Sequence, residues 1–212
     1  MLWAVNVGHS WPGKELDLQI FNYNDMTIEL FQDGLFSMNS ADNKIDYGLV
    51  YCDTEAKLSL RDQAKYGIFL RNCHGEIVSS VIIIGTGGGA PSPHEKTALI
   101  KNDEIILIMG DGVICLELPS LNIKWKTTTE NCYTCFEIHE IPEAYIIYAE
   151  GSIIRLNYQG EILWEFTGRD IFVMPEGSYF EIGTDTIYVK DWDGNLYELT
   201  YDGTERFTGM LN

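Results

Sequence analysis

The sequence predicts an all-β chain folded as one β-propeller of about five four-stranded blades. Three observations predict it. A glycine closing a short turn recurs at intervals of 33, 45, 39 and 43 residues, close to the period of a propeller blade. An apolar residue stands two positions beyond each of these glycines, and an aromatic stands thirteen positions beyond in four of the five units. With 45% hydrophobic and 12% aromatic residues among 212, the chain can bury a sizeable core.

The five turns are Gln32-Asp33-Gly34, Lys65-Tyr66-Gly67, Gly110-Asp111-Gly112, Ala149-Glu150-Gly151 and Trp192-Asp193-Gly194. Beyond them come Phe36, Phe69, Ile114, Ile153 and Leu196, then a second turn at Asn43, Gly75, Leu121, Gly160 and Gly203. The aromatics are Tyr47, Trp125, Trp164 and Phe207; the second unit has Ser80 instead. In the third unit Ile105 to Met109 reads as a strand and Asp111-Gly112 as a hairpin turn, since Asp-Gly tolerates the positive φ such turns need. Val113 to Leu118 is the next strand, Pro119 to Asn122 the second turn, and Ile123 to Lys126 a third strand. Phe136-Glu137-Ile138 and Tyr179 to Ile182 supply the fourth strand of their units.

The expected blades are 15–50, 51–85, 96–128, 134–168 and 171–209 within a single domain, 1–212. Residues 53 to 66 fit a short helix through Ala56, Leu60 and Ala64, or a strand through Leu58 and Leu60. An open ring would expose sheet edges, so Leu2 to Val7 is the candidate closing strand. A β-sandwich also turns often, but gives no reason for an aromatic at a fixed distance from the same glycine.

Residues 111–125 and 150–166 share an apolar strand after the turn glycine, a second turn and then Trp. This resembles the repeat of the pyrroloquinoline-quinone-type β-propellers. The closest unit runs Glu150-Gly151-Ser152-Ile153-Ile154-Arg155-Leu156-Asn157-Tyr158-Gln159-Gly160-Glu161-Ile162-Leu163-Trp164. The resemblance covers about half of the chain and implies blade structure, with the Trp packed between neighbouring blades. Quinone-dependent members of that superfamily carry adjacent cysteines under the cofactor. No two cysteines are adjacent here, so no quinone or other cofactor is expected.

Lys+Arg number 14 against Asp+Glu 32, a net charge of −18. That balance opposes phosphate contacts and anionic lipid, so neither nucleic acid nor a membrane is an expected partner. The first ten residues lack the basic start and long apolar run of a signal peptide, and the longest apolar run is only Val81 to Ile84. A cytoplasmic location is expected. Five scattered cysteines suit reduced thiols better than a disulfide framework. Cys132-Tyr133-Thr134-Cys135 has the spacing of half a zinc site or a redox pair. A zinc site needs two more donors, and the nearest candidates are Cys73, His74 and His139. No metal is expected, and the redox role of the pair stays open.

Gly85 to Thr97 holds several glycines and Lys96-Thr97, but Glu95 stands where a phosphate loop needs Gly. The segment reads as a connection presenting His94 and Glu95 at a blade entrance. Asp191-Trp192-Asp193-Gly194-Asn195 resembles a fragment of a calcium loop, yet strand alternation follows where a distal carboxylate is needed. It reads as a hairpin with Trp192 at its tip, a side chain suited to anchoring a partner. No nucleophile elbow or Ser-His-Asp arrangement is visible, and no catalytic residue is assigned.

Asp33, Asp111, Glu150 and Asp193 precede turn glycines. In a propeller these hairpins share a face with the connections between blades, so Asp191, Glu130 and the 85–96 segment belong on the same rim. Such a rim attracts a basic protein surface, although acids of this kind also serve as turn formers and solubilising charge. The function expected is a non-enzymatic, acidic, cytoplasmic protein-binding propeller, specifically an immunity-type inhibitor that neutralises a cognate toxin. The alternatives are a carbohydrate-active or small-ligand propeller using its central channel, and a structural scaffold.

Overall fold

The computed structural model describes residues 10–11, 14–15, 18–52, 64–85, 92–129, 131–132, 134–173, 177 and 179–210. A short ladder joins β1 (Ser10–Trp11) to β2 (Lys14–Glu15). The first large sheet holds β3 (Leu18–Tyr23), β4 (Met26–Gln32), β5 (Leu49–Cys52), β6 (Ala64–Arg71) and β7 (Ile77–Gly85) in the order β3-β4-β6-β7-β5. The second is β8 (Ala98–Lys101), β9 (Glu104–Met109), β10 (Gly112–Glu117) and β11 (Ile123–Thr128). The third is β12 (Cys135–Ile141), β13 (Ala144–Ala149), β14 (Ile153–Leu156) and β15 (Ile162–Phe166). The fourth is β16 (Phe180–Ile182), β17 (Thr186–Lys190), β18 (Asn195–Thr200) and β19 (Glu205–Met210). The last three are antiparallel meanders, and no helix occurs among the described residues.

The fold is a β-propeller in which successive sheets pack face to face. Successive side chains of a strand point to opposite faces, so a sheet covered on both sides needs strands apolar at every position. That is why β9 and β13 read as unbroken apolar runs. Ile105 and Leu107 pack with Ile28, Leu30, Ile68 and Leu70 of the first sheet, while Ile106 and Ile108 pack with Ile138, Tyr145 and Ile147 of the third. Ile146 and Tyr148 then meet Ile187, Val189, Tyr197 and Leu199 of the fourth. Each such aliphatic side chain contributes about 1.5–3 kcal/mol by leaving water.

Tight turns of one kind join the third and fourth strands of three sheets. In Asn72-Cys73-His74-Gly75, Asn157-Tyr158-Gln159-Gly160 and Thr200-Tyr201-Asp202-Gly203 the glycine N–H donates to the carbonyl three residues earlier. The glycines have φ of +80°, +81° and +88°, a region costly for side chains with a Cβ. Two of these glycines serve a second purpose. The Trp125 indole lies on Gly160 of the next sheet, and that of Trp164 on Gly203, where an added Cβ would come within 2.9 Å of the ring. Trp164 Nε1 and Arg155 Nη1 both donate to the Tyr201 carbonyl, at 3.0 and 2.8 Å. The outer strands β11 and β15 are thereby latched to the following blade.

The first sheet departs from the expected register. Gly67 closes no turn; it lies inside β6 opposite Phe31 and Ile82. A Cβ there would sit 2.5 Å from the Tyr47 hydroxyl and 2.6 Å from the Phe31 ring, so the glycine is a packing requirement. The expected boundary at 50/51 does not separate two sheets, because β6 pairs with β4 and β5 returns as a parallel neighbour of β7. The chain between β4 and β5 folds over the outer face of this sheet, where Phe36 and Tyr47 pack with Phe31, Phe69, Ile82 and Ile84. At the other end, the outer face of the fourth sheet carries Glu181, Tyr188, Lys190, Leu196 and Glu198, alternating with buried residues. Among the described residues no apolar cluster joins the fourth sheet to the first. Leu2 to Val7 and residues 53–63 lie outside the described residues.

Candidate partner-binding rim

At one end of the stack, second-to-third hairpins and inter-sheet connections are tied by backbone hydrogen bonds. Cys135 N donates to Gly110 O (2.7 Å), Glu150 N to Thr134 O (2.8 Å), Phe172 N to Glu150 O (2.7 Å) and Trp192 N to Ile171 O (2.7 Å). These bonds bring the turns holding Asp111, Glu150, Trp192 and Asp193 onto a common rim and fix its backbone. Trp192 is 48% exposed and Asp193 is also exposed. Tyr179 joins them: Lys190 N donates to its carbonyl (3.1 Å), and its ring is 38% exposed beneath the Lys190 ammonium. Nothing in the repeat spacing marked Tyr179 as more than a strand residue.

Other acids assigned to the rim do structural work. Asp191 is fully buried, and its carboxylate accepts Asn195 N (2.9 Å), Asn195 Nδ2 (2.9 Å) and Tyr197 Oη (2.7 Å). Burial acts to raise its carboxyl, but the bonds from Asn195, Tyr197 and the backbone outweigh that and hold it below the ordinary aspartate value. It braces the hairpin from inside and presents nothing to a partner. Asp33 accepts Phe36 N (3.1 Å) and Tyr47 Oη (2.9 Å), fixing the segment that covers the first sheet.

His94 is likewise engaged. Its Nδ1 accepts Lys96 N (3.3 Å) and its Nε2–H donates to Phe136 O (2.9 Å), tying the second sheet to the third. Glu95 beside it is exposed, and Glu130 lies outside the described residues. Acids do not gather at the rim alone. The turns at the opposite end of the strands expose Asp25, Asp103, Glu143, Asp185 and Asp202, so part of the charge is general solubilising charge.

Two further features went unread in the sequence. Beside Asp111 and Lys126, between the first and second sheets, lies a cavity of about 320 Å³ with apolar walls that include Val50, Ile83, Met109 and Ile123. On the innermost strands, Glu137 Oε2 accepts Lys96 Nζ (3.0 Å) and His139 Nε2 (2.7 Å), and the His139 ring lies against Phe180. Burial acts to raise the Glu137 carboxyl, but these two partners together hold it below the ordinary glutamate range. Lys96 and Glu137 are 41 positions apart, so only the stacking of sheets joins them. The Asp191 hairpin holds no cation loop, since its carboxylate is satisfied by protein donors, and no group of three metal-ligating side chains occurs among the described residues. No described helix is long and apolar enough to cross a membrane.

No protein-family model matches the chain, and no curated protein matches it. Among solved structures it is similar to BamB from Moraxella catarrhalis, at 18% identity and a TM-score of 0.49, over 92% of this chain and 62% of that one. The chain thus spans less than two thirds of the length of that protein.

Proposed function

We propose that this chain is a non-enzymatic, protein-binding propeller whose rim captures a basic protein surface, and that it acts in the cytoplasm as an immunity-type inhibitor of a cognate toxin. The observation that carries the reading is the backbone-tied rim uniting Asp111, Glu150 and Asp193 with exposed Trp192 and Tyr179. Acids with partly exposed aromatics form a surface that steers a cationic partner and then anchors it. The apolar cavity beside Asp111 offers a seat for a partner side chain. The net charge of −18 supports fast, salt-sensitive capture. The latching of Trp125 and Trp164 onto the next turn supports a repeat of the pyrroloquinoline-quinone type used as scaffold.

The test is co-expression with a toxin gene encoded beside this one, comparing the native chain with Asp111→Asn/Glu150→Gln/Asp193→Asn/Trp192→Ala. The native chain protects, while the folded variant loses at least about a hundredfold in affinity, consistent with one aromatic anchor plus steering charges. Equal protection by both chains, or by neither, sinks the reading. The Lys96–Glu137–His139 group favours a second one, a small polar ligand held on the innermost strands. Calorimetric titration with oligosaccharides yielding no heat removes it.

A further inference from the structure

We propose that Cys132 and Cys135 are a reversible oxidation site, closing to an intramolecular disulfide at the expense of a hydroperoxide. The two Sγ atoms lie 3.0 Å apart, closer than sulfurs in mere van der Waals contact, and neither is in a disulfide. Backbone bonds hold both residues where they are: Cys132 N donates to Thr129 Oγ1 (3.0 Å) and Cys135 N to Gly110 O (2.7 Å). The sulfurs therefore face each other in the resting fold. A zinc site needs two more donors; among the described residues no group of three or more His, Cys, Asp or Glu able to hold a metal occurs, and Asp111 acts on Cys135 only through its charge. What two facing thiols without further ligands can do is exchange electrons.

The step balances. One sulfur, as thiolate, takes an oxygen from the hydroperoxide and becomes a sulfenic acid, releasing the alcohol, or water when the oxidant is hydrogen peroxide. The second thiol displaces water from the sulfenic sulfur and forms the S–S bond. Two thiols lose two electrons and two hydrogens, and the peroxide O–O bond takes both electrons.

Burial decides the kinetics. Cys132 and Cys135 are 4% and 1% exposed, whereas Cys73 is exposed. The contact with Cys132, then burial, pushes the Cys135 thiol well above its ordinary value. Thiolate is the reactive form, so first attack is slow, while closure after it is fast because the resolving thiol is in place. The bond would clamp the inter-sheet connection between Gly110 and Glu150, with Thr134 already bonded to Glu150 N. The pair stands whether or not that rim binds a protein.

The experiment treats the native chain with hydrogen peroxide, quenches with acid, unfolds and alkylates it, and weighs the peptide containing both cysteines. The expected product lacks two hydrogens, resists alkylation and regains both thiols with dithiothreitol. It forms more slowly than oxidation of Cys73, and it persists in Cys52→Ser/Cys73→Ser. Full alkylation of both thiols after exposure continued well past complete oxidation of Cys73, with the chain still folded, overturns the proposal. So does stoichiometric zinc in the purified chain that is lost on Cys132→Ser. Because the main readout is on the native chain, a variant that fails to fold does not protect the proposal.

Discussion

Asp191 and Asp193 stand two positions apart in one hairpin, and burial separates them completely. The first is enclosed and accepts hydrogen bonds from Asn195 and Tyr197; the second faces water. Asp191→Ala strands a buried amide, a buried hydroxyl and a backbone N–H, and is expected to lower stability by about 2–4 kcal/mol. Asp193→Ala is expected to stay within about 0.5 kcal/mol. Urea titration of both variants checks this, and similar midpoints would refute the assignment. The pH dependence has a definite sign. The folded carboxyl of Asp191 lies below its unfolded value, so its stabilisation is present above about pH 4, the unfolded aspartate value. It is lost as pH falls through the folded value. From sequence, Asp191 looked like its exposed neighbour because burial depends on the sheet packed behind it. His94, read as a loop histidine, meets Phe136 of the next sheet only after folding.

At the scale of elements, the legible part was the turn between third and fourth strands. Of the five second-turn positions picked out by spacing, Gly75, Leu121, Gly160 and Gly203 have positive φ and Asn43 does not. The latch that two of them provide can be separated from their backbone demand. Gly194 has φ +82° with open space around it, whereas Gly160 has φ +81° and carries the Trp125 ring. Gly194→Ala is expected to cost about 1–2 kcal/mol from left-handed backbone alone. Gly160→Ala adds overlap with the indole, for a total of about 3 kcal/mol or more. Equal losses in denaturant melts would mean that the Trp gives way freely. The illegible part was the first sheet. Its β5 strand follows a segment that doubles back and joins β7 in parallel, a pairing with no local signature. Gly67 imitated a turn because the space it leaves open is filled by Phe31 and Tyr47, remote in sequence.

For the whole molecule, composition foretold an extended core, and the alternating faces of β9 and β13 realise it. It also foretold the charge but not its distribution, since turns at both ends of the strands expose acids. With 32 acids against 14 basic residues, most carboxylates find no cation and repel one another at pH 7. Raising salt from about 0.01 M to about 1 M shortens the Debye length from about 30 Å to about 3 Å and is expected to raise the melting temperature. A melting temperature that is unchanged or falls would mean that local pairing already offsets the repulsion.

The outer face of the first sheet also bears on how copies of the chain could meet. A sheet that buries its neighbour's apolar face will bury a stranger's just as well, and end-to-end docking of this kind repeats without closing, which yields fibres. Phe36 and Tyr47 occupy that berth on the first sheet, and Glu181, Lys190 and Glu198 put charge on the other end. The segment that carries Phe36 and Tyr47 thus sits where a further sheet would dock, and covers with the chain's own residues a face that would otherwise attract another copy.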